Sequence, residues 1–106
     1  MPRKSLQTLS EPMYYVLLAL TTELYGTEIM LVVKRLSSER IKIGPGTLYA
    51  MLDKFCTNGL IRRTNHNLAT KSYIITDKGK MVLKEEYERL NTLLNDGKQI
   101  TEVLER

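Results

Sequence analysis

Thr47, Tyr49 and Lys54 place a hydroxyl, a phenol and an ammonium within eight residues of one another. All three group types can hydrogen-bond phosphate oxygens or the edges of bases. Between and after them stand Leu48, Leu52 and Phe55, whose spacings of four and three put them on one face of a helix. The three polar residues fall off that stripe, so they are expected to face outward while the leucines and Phe55 are buried. Lys42 just before this stretch, Arg63 after it and Lys71 further on add cations that could reach the same polyanion. Arg62 and Arg63 alternate along a strand, so at most one of them can point that way. Arg3 and Lys4, in a basic lead-in from Met1 to Leu9, extend the set.

The element that must carry these groups has clear ends. Gly44-Pro45-Gly46 can turn the backbone and open a helix near Pro45, and Asn58-Gly59 supplies a left-handed stop. Leu60-Ile61-Arg62-Arg63 then begins a strand, expected over Ile61 to Asn65, with Ser72 to Ile75 as its partner. The loop between them, Asn65-His66-Asn67-Leu68-Ala69-Thr70-Lys71, is rich in turn formers. A short helix, apolar inside and polar outside, followed by a hairpin is what a winged DNA-reading helix requires.

Two helices are expected before it. Ser10 can cap the first, with Glu11 and Pro12 in its opening turn, and the pattern runs to about Leu24. Met13, Leu17, Leu20 and Leu24 form one stripe; Tyr14, Tyr15 and Leu18 add a second apolar face. Tyr25-Gly26 breaks this helix, and Thr27 can cap a second over Glu28 to Ser37, with Ile29, Val32 or Val33, and Leu36 inward. Arg40-Ile41-Lys42-Ile43 alternates, as a short strand or an extended link. After the hairpin, Thr76 can cap a long helix in which Leu83, Tyr87, Leu90 and Leu94 follow a coiled-coil spacing. Asp96-Gly97 is expected to interrupt it.

Composition bounds the rest. The 106 residues hold one domain or a small domain with a helical arm, here divided as 1–76 and 77–106. Residues 1–80 carry twelve Lys/Arg against six Asp/Glu, whereas residues 81–106 carry four against six. The basic excess therefore accompanies the third helix and hairpin, and the arm is mildly acidic. No apolar run is long enough to span a bilayer, so no membrane partner is expected. A single cysteine, Cys56, fits a reducing cytoplasm. With one cysteine and one histidine, His66, neither a metal site nor a cofactor is expected. No catalytic triad, carboxylate pair or phosphate-cradling loop is present, and no enzyme activity is expected.

A first helix apolar on two faces must be covered on two faces. Leu83, Tyr87, Leu90 and Leu94, with Tyr14 and Leu18, are thus the expected homodimer contacts. Tyr14, Tyr15 and Tyr87 have a second reading, the walls of a pocket for a small aromatic effector between subunits.

The motifs Tyr25-Gly26-x-Glu28-Ile29, Gly46-Thr47-Leu48-Tyr49-x-x-Leu52, Gly59-Leu60-Ile61 and Tyr73-x-Ile75-Thr76-x-x-Gly79 occur in one order, within a resemblance that covers about residues 9–95. In that order and spacing the chain resembles the PadR family of transcriptional regulators, in its short branch with a single C-terminal helix. The resemblance implies a mainly α fold with a small β-hairpin: a winged helix-turn-helix plus a long C-terminal dimerisation helix. It implies a dimeric repressor on a pseudo-palindromic operator in double-stranded DNA, against the alternative of a winged-helix module that binds protein. Thr27 stands where the family usually has an aromatic, Cys56-Thr57-Asn58 replaces a commonly acidic run, and the wing lacks the usual glycine and arginine cluster. The chain has no Trp, so drug binding between paired tryptophans does not carry over.

Overall fold

The computed structural model describes residues 8–65, 67 and 69–105; Arg3, Lys4 and His66 lie outside the described residues. In chain order the elements are α1 (Glu11–Ala19), β1 (Leu24–Tyr25), α2 (Gly26–Leu36), α3 (Pro45–Thr57), β2 (Ile61–Arg63), β3 (Ser72–Ile75) and α4 (Asp77–Leu104). The sheet is antiparallel with β3 in the middle, in the order β1-β3-β2. Arg63 pairs with Tyr73 across one side of β3, and Leu24 with Tyr73 across the other.

Several boundaries follow their local signals. Ser10 Oγ accepts the Met13 N–H at the start of α1. The Thr76 hydroxyl accepts the Gly79 N–H at the start of α4 and donates to the Gly59 carbonyl. At the end of α3, Gly59 has φ +74°, its N–H reaches the Cys56 carbonyl and that of Leu60 reaches Phe55. This pair of bonds satisfies two of the orphan helix carbonyls, and the left-handed turn it needs suits glycine. Leu48, Leu52 and Phe55 are all fully buried, as their spacing requires.

Other expectations fail for reasons of packing. The first helix ends at Ala19, not near Leu24. Leu24 and Tyr25 instead form β1, because the Leu20 carbonyl accepts the Ile75 N–H and the chain beyond is drawn onto β3. Tyr25, not Thr27, occupies the cap of α2, and its backbone N–H donates to the Glu28 carboxylate. Of the side chains expected inward on α2, Ile29 and Val33 are buried and Val32 is half-buried, but Leu36 is exposed. Of the two forms expected for 40–43, the structure has the extended link, outside the sheet, whereas β2 stops at Arg63 rather than Asn65. Asp96-Gly97 does not interrupt α4, which is continuous for 28 residues. A lone glycine costs only about 1 kcal/mol in a helix, too little to break one with turns on both sides.

α4 enters the body through Gly79, Val82 and Glu86, and every described residue from Tyr87 onward is exposed. A Cβ at Gly79 would overlap the Leu60 carbonyl and sit 2.6 Å from Ile75 Cγ1. The absent side chain lets the helix start pass directly over the head of β2. Buried Glu86 receives the Leu9 N–H and both Nε and Nη2 of Arg89, at 3.2, 2.9 and 2.7 Å.

Candidate nucleic-acid interface

Thr47 lies exposed in the first turn of α3, and Ala50 and Lys54 are exposed behind it. Steps of three and four put these residues along one face, opposite the Leu48/Leu52/Phe55 core stripe. Ala50 carries no polar group that would mark it in the sequence, although its three-residue step from Thr47 puts it on this face; a methyl there can meet a thymine methyl. Asp53 is also exposed beside Lys54, so this face carries one anion with its cation.

Tyr49 departs from expectation. It is half-buried against the core rather than fully outward, because α2 begins with a glycine and leaves room for the ring. Tyr49 and Lys71 line a groove of about 380 Å³ with Tyr25, Gly26, Thr27, Ala69 and Thr70. The groove thus joins the start of α2, the flank of α3 and the wing. The Gly26 N–H donates to the Lys71 carbonyl at 3.0 Å, which ties that wing residue to the first turn of α2. Lys71 itself is exposed at the groove edge, and Lys42 is exposed in the link before α3. Neither Lys42 nor Thr47 nor Lys54 lines the groove.

Arg63 is half-buried, and its guanidinium donates to the Asn67 carbonyl in the wing at 3.0 Å. Its Nε is buried without a partner among the described residues. It braces the wing more than it presents a free charge, whereas Arg62 is exposed. Arg63 also lies near Cys56, whose thiol is pushed up by burial and by Asp53 and only partly lowered by the arginine. The thiolate is therefore disfavoured. Among the described residues, no group of three or more His, Cys, Asp or Glu could hold a metal ion.

The tyrosines form a second region, between α1 and α4. Tyr14 and Tyr15 meet edge to face, with centroids 6.0 Å apart. Tyr14 stands between two shallow grooves. One, of about 320 Å³, includes Tyr15, Glu86 and Leu90; the other, of about 270 Å³, includes Leu18, Leu83 and Tyr87. Tyr15 is held from its far side by Arg40, which lies 5.9 Å from the ring centroid, bonds the phenol at 3.0 Å and pairs with Glu11 at 2.7 Å. Tyr87, Leu90 and Leu94 stand 61%, 39% and 60% exposed in the single chain.

Helices packed in this order, with a three-stranded sheet whose β2–β3 loop flanks α3, define a winged helix-turn-helix protein. The chain belongs to the transcriptional regulator PadR-like family, whose model matches residues 16–85. It is accordingly a transcriptional regulator and not an enzyme. Among solved structures it is similar to a PadR family transcriptional regulator from Eggerthella lenta, with 26% identity and a TM-score of 0.68 over 85% of this chain and 80% of that one. A PadR family transcription regulator from Clostridium difficile shares the fold at 20% identity and TM-score 0.70, over 87% of this chain and 99% of that one. Bacillus subtilis PadR, solved in complex with operator DNA, matches at 26% identity and TM-score 0.58, over 78% of this chain but 48% of its own. No curated protein matches in sequence. Among the described residues, no helix is long and apolar enough to cross a membrane.

Proposed function

We propose that this regulator is a cytoplasmic homodimeric repressor that binds a pseudo-palindromic operator in double-stranded DNA. Residues 1–76 read the DNA and residues 77–106 hold the dimer. The observation that carries the reading is the exposed Thr47/Ala50/Lys54 face of α3, flanked by the groove that ends at Lys71. Bacillus subtilis PadR, which shares the fold, was solved on its operator. In this reading α3 enters the major groove, Thr47, Ala50 and the Tyr49 hydroxyl meet bases or phosphates, and Lys42, Lys54 and Lys71 meet phosphates. Arg3 and Lys4 add backbone contacts, and Arg63 acts by bracing the wing.

The dimer forms through Leu83, Tyr87, Leu90 and Leu94 of α4 with Tyr14 and Leu18 of α1. Large apolar side chains left exposed on one helix face are the support for this pairing. A small aromatic effector would sit where the grooves on either side of Tyr14 meet the partner subunit, between Tyr14, Tyr15 and Tyr87. To alter DNA binding it must favour one spacing of the two α3 helices over another.

Titration with duplex DNA at two salt concentrations tests the central claim. Phosphate neutralisation predicts binding at low salt that falls steeply as salt rises. No binding to any duplex at low salt would leave only the protein-binding alternative.

A further inference from the structure

The first residue of α2 and the fifth of α3 fit together in a way that local signals do not explain. Gly26 is buried, and its backbone is not in the left-handed region that would itself call for glycine. A Cβ built on it would overlap the Tyr49 hydroxyl, with Cζ at 2.9 Å and Cε1 at 3.0 Å. Only glycine leaves space for the ring. The same residue donates its N–H to the Lys71 carbonyl, so one point holds α2, the flank of α3 and the wing. Tyr49 sits beside the buried Leu48 and follows the exposed Thr47, where a small rotation of α3 would exchange inside for outside. The ring is half-buried against the core, and its hydroxyl stands where a Gly26 Cβ would be.

We infer that Gly26 is a positioning residue for DNA binding: it seats the Tyr49 ring and thereby fixes the rotation of α3 relative to α2 and the wing. The inference rests on the DNA-binding reading for its functional consequence, but the seat itself can be read without DNA. A methyl at position 26 must displace the ring, and the ring is attached to the element that carries Thr47, Ala50 and Lys54. Displacing it turns that face away from the register set by Lys71. Loss of the hydroxyl alone removes the nearest colliding atom, so the effect should be graded with ring size.

The test compares wild type, Gly26→Ala, Tyr49→Phe, Tyr49→Ala and the two double variants, all as full-length chains. Amide NMR shifts of Thr47, Ala50 and Lys54 report the position of α3, and binding is measured on a duplex selected from a random pool with the wild-type protein. Gly26→Ala is expected to move those amide shifts and weaken DNA binding on the order of tenfold. In the Tyr49→Ala background the same change should do little to either, and in the Tyr49→Phe background it should do less than in wild type. Equal effects of Gly26→Ala in all backgrounds would overturn the inference. So would shifts that move while affinity for the selected duplex stays unchanged. If Gly26→Ala does not fold, recovery of a folded protein by adding Tyr49→Ala supports the seat, and failure to recover overturns it. If wild type selects no duplex, the DNA-binding reading has failed, and the amide shifts alone decide whether Gly26 positions α3.

Discussion

Gly79 and Tyr14 show how single side chains are judged by their neighbours. At Gly79 the nearest obstacle to a methyl is the Leu60 backbone carbonyl, which cannot swing aside as a side chain would. Gly79→Ala should therefore lower stability by about 1–3 kcal/mol, the usual consequence of overfilling a packed site, and a urea melt will show it. Tyr14 has its phenol pushed above the ordinary tyrosine range, first by burial and then by Tyr87, Tyr15 and Glu86. The folded state thus holds the proton more tightly than the unfolded chain. Below the unfolded pKa of about 10 both states are protonated and this group's stabilisation is intact; it is lost as pH rises through the higher folded value. Stability should accordingly fall above about pH 10, with contributions from Tyr73 and, somewhat lower, from Cys56, both also raised by burial. Tyr14→Phe should make that alkaline decline shallower, as measured by urea midpoints across the range; an unaltered slope would remove Tyr14 from the account.

Among the elements, α4 is the one whose length and exposure do not match its own packing. Its first three turns are anchored through Gly79, Val82 and Glu86, and every described residue beyond them is exposed. Gly97 lies in that exposed part, with nothing within 4 Å of where a Cβ would stand. Replacing it with Ala should stabilise the helix by about 1 kcal/mol through propensity alone, seen as higher helicity and a higher melting temperature. A loss instead would mean that another chain's helix passes close to position 97 and needs the missing side chain. The turn after α2 is similarly telling: Ser38 and Glu39 take φ of 52° and 65° without being glycine. Their N–H groups nevertheless reach the Arg35 and Lys34 carbonyls, at 3.1 and 2.7 Å, which offsets part of the conformational strain.

For the whole molecule the decisive question is what covers the apolar face of α1 and α4. Leu90 stands in the middle of that face and lines the groove beside Tyr14 and Glu86. Leu90→Asp would place a carboxylate where the proposed dimer requires an apolar contact, and near the buried Glu86 carboxylate. Sedimentation should show this variant shifted toward monomer with the wing and core strands still folded. A fully dimeric variant would mean that the subunits meet elsewhere. The uneven charge fits the proposed division of labour, in which the acidic arm would carry the interface and the basic body would face the polyanion.

Much of this architecture is legible in the chain because its signals are local. Ser10 and Thr76 cap because a hydroxyl can reach an N–H three residues on; Gly59 stops α3 because only a left-handed residue closes that turn. Leu48, Leu52 and Phe55 are inside because helical spacing puts them together, and the same spacing brings Thr47 and Lys54 out. What only the tertiary structure decided depends on contacts between distant segments. A two-residue strand at Leu24–Tyr25 has no period to read; it exists because β3 offers it a free edge. Tyr49 is half-buried because Gly26, 23 positions earlier, has no side chain. Arg63 turns to the Asn67 carbonyl, four residues on across the strand end, rather than outward. Helical periodicity records which residues share a face, but how deeply each is buried depends on what the fold sets against that face.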